Sequence, residues 1–185
     1  MHITHRPGNT SDLGFICSCL LSDARKGHFS IDVNDRQAVH HVRQDIAAML
    51  GHDSAHAVYT FLIGEKRVGF AILSSLPARP RCRELYALSV AVKFRGRGYG
   101  HQLLLILLQK LQQHIVYARC APSSVAMQQM LLGHKFQCIQ ETEKGIRIFK
   151  RDNLAATDLA VTGMDYRHYL AAVDRQPSQA QTSDK

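Results

Sequence analysis

Residues 84–110 read ELYALSVAVKFRGRGYGHQLLLILLQK, and this stretch decides the fold. Leu85 to Val92 is rich in β-formers. Gly96, Gly98 and Gly100 then alternate with other residues, and a leucine-rich run opens at His101. The order is strand, glycine loop, helix. Glycines let a backbone turn tightly without Cβ clashes, so successive N–H groups can converge on one point. The helix adds its own unsatisfied N–H groups and the positive end of its dipole, which suits a pyrophosphate. Arg95 and Arg97 are expected to add charge at the rim. A P-loop would need Lys after its last glycine, and here Gly100 precedes His101. A dinucleotide fingerprint needs Gly-x-Gly-x-x-Gly early in a βαβ unit. The spacing here is Gly-x-Gly-x-Gly, and the strand before it is the fourth. The plain alternative is a glycine turn that holds nothing, but three glycines cost entropy where one would make the turn.

Upstream, His2 to Arg6 reads as a short edge strand closed by Pro7-Gly8. Thr10-Ser11-Asp12 offers N-cap chemistry to a helix over about 11–24. Asp35 caps a second helix with Val39, Val42, Ile46, Met49 and Leu50 on one face, ended by Gly51. Ala57–Ile63 and Val68–Leu73 form a hairpin around Gly64–Arg67. Residues 74–83 carry two prolines and three arginines and read as a loop. Downstream, Ile115–Arg119 is a strand and Pro122-Ser123-Ser124 starts a helix. Phe136–Ile139 and Ile146–Lys150 close the fold as a hairpin.

The chain has 185 residues, about one domain's worth. Lys plus Arg is 23 and Asp plus Glu is 15, a net charge of +8. This points to an anionic partner such as nucleic acid, a membrane surface or a phosphorylated small molecule. Residues 79–97 alone hold six basic side chains and one acid, Glu84, so the surplus is concentrated beside the glycine loop. Base-stacking aromatics interleaved with those arginines, as a nucleic-acid surface would need, are missing. The first residues show no apolar leader and no run is long enough to span a bilayer, so no membrane partner is expected. Five cysteines, an odd number, read as reduced thiols of a cytoplasmic protein. His40, His41, His52 and His56 lack zinc-type spacing, and no metal site is assigned.

Arg95-x-x-Gly98-x-Gly100, in the setting of residues 84–104, resembles the coenzyme A motif of the GNAT superfamily of N-acetyltransferases. The resemblance spans about residues 2–150. It implies an α/β (α+β) fold: a mixed, mostly antiparallel sheet of six or seven strands, helices on both faces, and splayed strands 4 and 5. Residues 1–150 are then the acetyl-CoA-binding domain, 151–174 an extension with a short helix within 164–173, and 175–185 a disordered tail. Acetyl-CoA is the implied cofactor. Its pyrophosphate falls to Arg95, Gly96, Arg97, Gly98, Tyr99, Gly100 and His101, and its pantetheine arm to Leu88, Val90 and Val92.

The implied reaction is direct attack of a primary amine on the acetyl carbonyl. The acceptor is a small-molecule amine or a protein or peptide amine, with aminoacyl-tRNA the one nucleic-acid case. A homodimer is compatible with the family. Family members often place a glutamate base on the fourth strand, which maps to Glu84. The alternative for Glu84 is to neutralise neighbouring arginines. The usual acid is a tyrosine in the helix after the fifth strand. Counting from Ala126 puts Met130 in that slot, and counting back from Phe136 puts Leu131 there; neither can donate a proton. Ser123, Ser124, Cys120 and His134 are the nearby substitutes, and Tyr86 and Tyr117 lie on the flanking strands. Arg25–Phe29 either lines the acceptor pocket or simply caps its helix. The departure at the tyrosine slot leaves a second function open: a CoA-sensing regulator that keeps the fold without the chemistry.

Overall fold

The computed structural model describes residues 2–51, 55–76 and 79–152. The chain runs β1 (Thr4–Pro7), α1 (Leu13–Ala24), α2 (Arg36–Leu50), β2 (His56–Ile63), β3 (Lys66–Leu76), β4 (Arg79–Val90), α3 (Tyr99–Lys110), β5 (Ile115–Cys120), α4 (Val125–Gly133), β6 (Gln137–Glu141) and β7 (Arg147–Asp152). The seven strands form one sheet in the order β1-β2-β3-β4-β5-β7-β6. Every neighbouring pair is antiparallel except β4–β5, which is parallel.

Helices cover both faces. Leu103, Leu104, Leu107 and Leu108 of α3 and Leu131 of α4 pack on one face with Val68, Leu85, Val116 and Ala118. Ile16 and Leu20 of α1 and Ile46 and Leu50 of α2 pack on the other with Phe70, Ile72 and Ala87. Burial of these side chains against a two-faced sheet is the main source of stability. Gly69 lets α3 sit close, because a Cβ there would lie 2.6 Å from Leu103 Cδ2 and from Ser89 O.

Local chemistry sets the element ends. Asp35 caps α2 by accepting from the Gln37 N–H at 2.8 Å. Asn9, rather than Thr10 to Asp12, caps the short 3₁₀ turn that leads into α1. Asp12 is fully buried and holds Arg6 and Arg67 at 2.6 Å each. Burial opposes its ionisation. The hydrogen bonds from Arg6, Asn9 N–H, Arg67 and Thr60 outweigh that and hold the carboxyl well below its ordinary value.

One expectation fails outright. Residues 74–83 are largely strand, with Ser74 opposite Glu84, Ser75 opposite Arg83 and Leu76 opposite Arg79. Pro80 is tolerated because, among the described residues, the β5 ladder joins β4 only from Cys82 onward, so a proline ahead of it removes no N–H from that ladder. A register shift between Ser75 and Leu76 takes up the extra residues. The strand expected over 85–92 also ends early. Val92 to Phe94 form a 3₁₀ turn.

Residues 151 and 152 complete β7. The rest of the expected extension, with its helix within 164–173, and the 175–185 tail lie outside the described residues. Among the described residues no helix is long and apolar enough to cross a membrane.

Candidate functional site

Two irregularities in β4 make the site. The β3–β4 register pairs Ile72 with Ala87 but Leu73 with Leu85, so Tyr86 is a surplus residue on β4. Such a bulge bends its strand. The parallel ladder to β5 stops at the same point, with Leu85 opposite Ala118 as its last pair. Beyond it β4 and β5 diverge. A cavity of about 460 Å³ opens between them, running from the glycine loop to Arg119, Cys120, Ser123 and Ser124. Among the described residues no strand pairs with the β5-side edge of Tyr86 to Val90, so backbone groups there, apart from Val90 O, which accepts from Arg95, can meet a ligand along this wall.

At one end the cavity is built of backbone. Gly96 and Gly98 have φ of +74° and +76°, the left-handed region that favours glycine. A Cβ at either position would meet nothing within 4 Å, so the space over the loop is open. Gly98 precedes α3, and no side chain caps the helix. The first turn of the helix, Tyr99 to His101, lies at this end of the cavity. Gly100 serves packing instead: a Cβ there would lie 3.3 Å from Met130 Sδ. These features fit a pyrophosphate, which needs converging donors and close backbone approach.

Arg95 does not point where the sequence placed its charge. Its Nη2 lies 2.6 Å from Asp23 Oδ1 and its Nε donates to Val90 O at 2.7 Å. Asp23 also accepts from Ser89 Oγ at 2.6 Å. One buried carboxylate on α1 thus ties the glycine loop back to the end of β4. Arg97 is exposed and does not line the cavity; Val92 is exposed as well and lines a separate depression with Lys66 and Lys93. Leu88, Val90, Arg95, Gly96, Gly98, Tyr99, Gly100 and His101 all line the cavity. His101 Nδ1 sits 3.1 Å from His134 Nε2. Burial, then His101 and Arg151, push the His134 pKa down.

The other end is built of side chains. Glu84 is 1% exposed and accepts from Arg119 Nε at 2.6 Å; Arg119, not Glu84, lines the cavity. Of the two tyrosine-slot candidates, Leu131 is fully buried in the core and Met130 faces the cavity. Ser123 and Ser124 line it too, joined by His28 and Phe29 from the segment after α1. The helix ends at Ala24 with Arg25 as its C-cap and no basic residue in its last turn. Gly27, at φ +76°, closes the turn that follows, and the next two residues line the cavity. Sequence reasoning missed Asp23. Its signal was available: it falls at helical spacing from Ile16, Cys19 and Leu20, an acid on a core face.

A parallel pair that parts over a glycine loop, with helices on both faces, defines an acetyltransferase-type α/β fold. The family model described as the acetyltransferase (GNAT) family matches residues 21–134, and the chain belongs to that family. Solved structures agree on the fold. An acetyltransferase from Thermus thermophilus is 16% identical with a TM-score of 0.67, covering 82% of this chain and 97% of its own. The PaiA N-acetyltransferase of Thermoplasma acidophilum, in complex with coenzyme A, is 12% identical with a TM-score of 0.65, covering 82% and 99%. The spermidine N-acetyltransferase of Vibrio cholerae, in complex with CoA and spermine, is 14% identical with a TM-score of 0.65, covering 80% and 92%. No curated protein sequence matches the chain.

Proposed function

We propose that the protein is an acetyl-CoA-dependent N-acetyltransferase that moves the acetyl group directly to a primary amine. The observation that carries this reading is the cavity itself. Its left-handed glycines leave open space at one end, and the unladdered edge of β4 leads from them to the opposite end. Acetyl-CoA is a consumed substrate here. Gly96 to His101 would hold its pyrophosphate. The backbone of Leu88 and Val90 would take the amides of its pantetheine arm, as an added strand takes a sheet edge. Its chemistry is to offer an acetyl group on a sulfur leaving group.

The acceptor is a small-molecule amine or a protein or peptide amine. It would enter from the side lined by His28, Phe29, Tyr86 and Arg119, where α1 and its following segment meet β4 and β5. Glu84 is assigned the task of holding Arg119 at the cavity wall, in place of the base implied by the resemblance. Residues 1–150 are read as the acetyl-CoA-binding domain. Five unpaired cysteines support a reducing, cytoplasmic setting.

The test is thiol release. Purified protein with acetyl-CoA and a panel of amines, including a peptide α-amine and a polyamine, is expected to liberate free thiol above background with at least one of them. Tight CoA binding without release from any acceptor would favour the regulator reading, which the apolar Met130 supports.

A further inference from the structure

The end of the cavity away from the glycine loop joins Ser124, one of the substitutes for the missing tyrosine, to His28. Two contacts strap the segment after α1 to the start of α4. Ser123 Oγ donates to Gly27 O at 2.6 Å, and Ser124 Oγ lies 3.2 Å from His28 Nδ1. The two serines differ. The Ser123 proton is committed to a carbonyl, so its bond is a fastening. Ser124 occupies the N-cap of α4, where a serine ordinarily accepts from a first-turn N–H. It makes no such bond. Its hydroxyl is turned to the imidazole, at 8% exposure, and both residues line the cavity. Of the other side chains lining the cavity, Met130 has no proton to give. Cys120, pushed up to about 12 by burial, and Tyr86, also pushed up by burial, each carry a single proton, whereas Ser124 is bonded to a ring nitrogen that can take one up.

We propose that Ser124 and His28 form a proton relay that replaces the missing tyrosine. The inference rests on the acetyl-transfer reading above. The relay uses the tautomer of His28 whose Nδ1 lone pair faces Ser124. As the amine nitrogen bonds to the acetyl carbon, a nitrogen proton passes to Ser124 Oγ while the Ser124 proton passes to His28 Nδ1. The carbon–sulfur bond breaks, and the same proton returns through Ser124 to the departing sulfur. One carbon–nitrogen bond forms, one carbon–sulfur bond breaks and one proton moves from nitrogen to sulfur. Both side chains end as they began, and no further reactant is consumed. Ser124 is the group that touches the reacting atoms. His28 acts through it, as a reservoir and positioning residue. The strap from Ser123 to Gly27 fixes the distance, and glycine is required there: φ is +76° and a Cβ would lie 3.3 Å from Ser123 Oγ.

The experiment compares the full chain with Ser124→Ala, Ser124→Thr, His28→Gln and the Ser124→Ala/His28→Gln double variant. Thiol release is measured with acetyl-CoA and the amine the wild type uses best. CoA affinity is measured by calorimetry, and the imidazole nitrogen resonances by NMR on the free protein. Ser124→Ala and His28→Gln are each expected to lower kcat about 100-fold, the range of a lost proton-transfer group. CoA affinity should stay within about twofold of wild type. The double variant should be no more than about threefold worse than the poorer single one, because groups that act as a unit are not additive. Ser124→Thr, which keeps the hydroxyl, should recover most of kcat. In Ser124→Ala the His28 Nδ1 resonance should shift even without substrate. The relay is overturned if either single variant keeps kcat within about threefold of wild type, if the penalties multiply, if CoA affinity falls in step with kcat, or if the Nδ1 resonance does not move. A wild type that binds CoA but releases thiol to no amine removes the acetyl-transfer reading and the relay together. A fully active His28→Gln enzyme removes the relay alone.

Discussion

The two ends of the cavity are made differently. The glycine-loop end is main chain: two left-handed glycines, an uncapped helix start and an arginine folded back to stiffen the turn. The opposite end is side chain: two serines, a histidine and an arginine brought from the start of α4, the segment after α1, and β5. A backbone site depends on conformation, and conformation is written locally as glycine spacing. A side-chain site depends on which elements meet, and substitutions can change it while the fold stays put. The glycine motif is therefore intact, while the tyrosine slot in α4 holds Met130.

The largest effect expected from breaking this contrast is at Gly98. Aspartate tolerates a left-handed backbone better than most residues, so Gly98→Asp tests charge more than strain. A carboxylate in the open space over the loop should weaken CoA binding by roughly two orders of magnitude, about 3 kcal/mol. Calorimetric titration with CoA measures this, and unchanged affinity would put the pyrophosphate elsewhere. A middling effect is expected at Asp23, which belongs to α1 yet serves the backbone end. Asp23→Asn keeps an oxygen for Ser89 but strips the charge from the Arg95 pair. CoA affinity should fall about tenfold, or about 1.4 kcal/mol, with Ser124-dependent kcat little altered. An affinity equal to wild type would mean that the loop holds its shape without the clamp. The smallest effect is expected at Arg83, at the far end of β4. The strand from Arg83 to Val90 spans roughly 20 Å. Arg83→Gln should leave CoA affinity within about twofold, because a separation beyond the Debye length screens its charge. A tenfold loss would show that the basic cluster acts as one field after all.

That last case shows what sequence could and could not say. The hydrophobic spacing of α1, α2 and α3, the hairpin of β2 with β3, and the glycine loop were legible because each is local. The cluster of charge at 79–97 looked like one patch and is two, since β4 carries Arg79, Arg81 and Arg83 away from Lys93, Arg95 and Arg97. Arg95 is further neutralised by a residue 72 positions earlier. His28 and Ser124 are 96 positions apart, and no spacing rule connects them. The 74–83 segment was misread because proline argues against a paired strand. Only the strand pairing reveals that, among the described residues, the β5 ladder begins at Cys82, past the proline.

Tyr86 has a consequence beyond its own side chain. It is the surplus residue where β4 parts from β5, and it shifts which side chains face which helices: Leu85 and Leu88 share a core, while Ala87 faces the other. Removing a residue there would do what no substitution can. It would return this part of β4 to regular pleating, with β5 free to continue its ladder past Ala118. The cavity is, in this sense, a matter of counting rather than chemistry. The ladder to β5 ends where β4 is one residue longer than its partner across the bulge, so the divergence that opens the cavity begins at that extra residue.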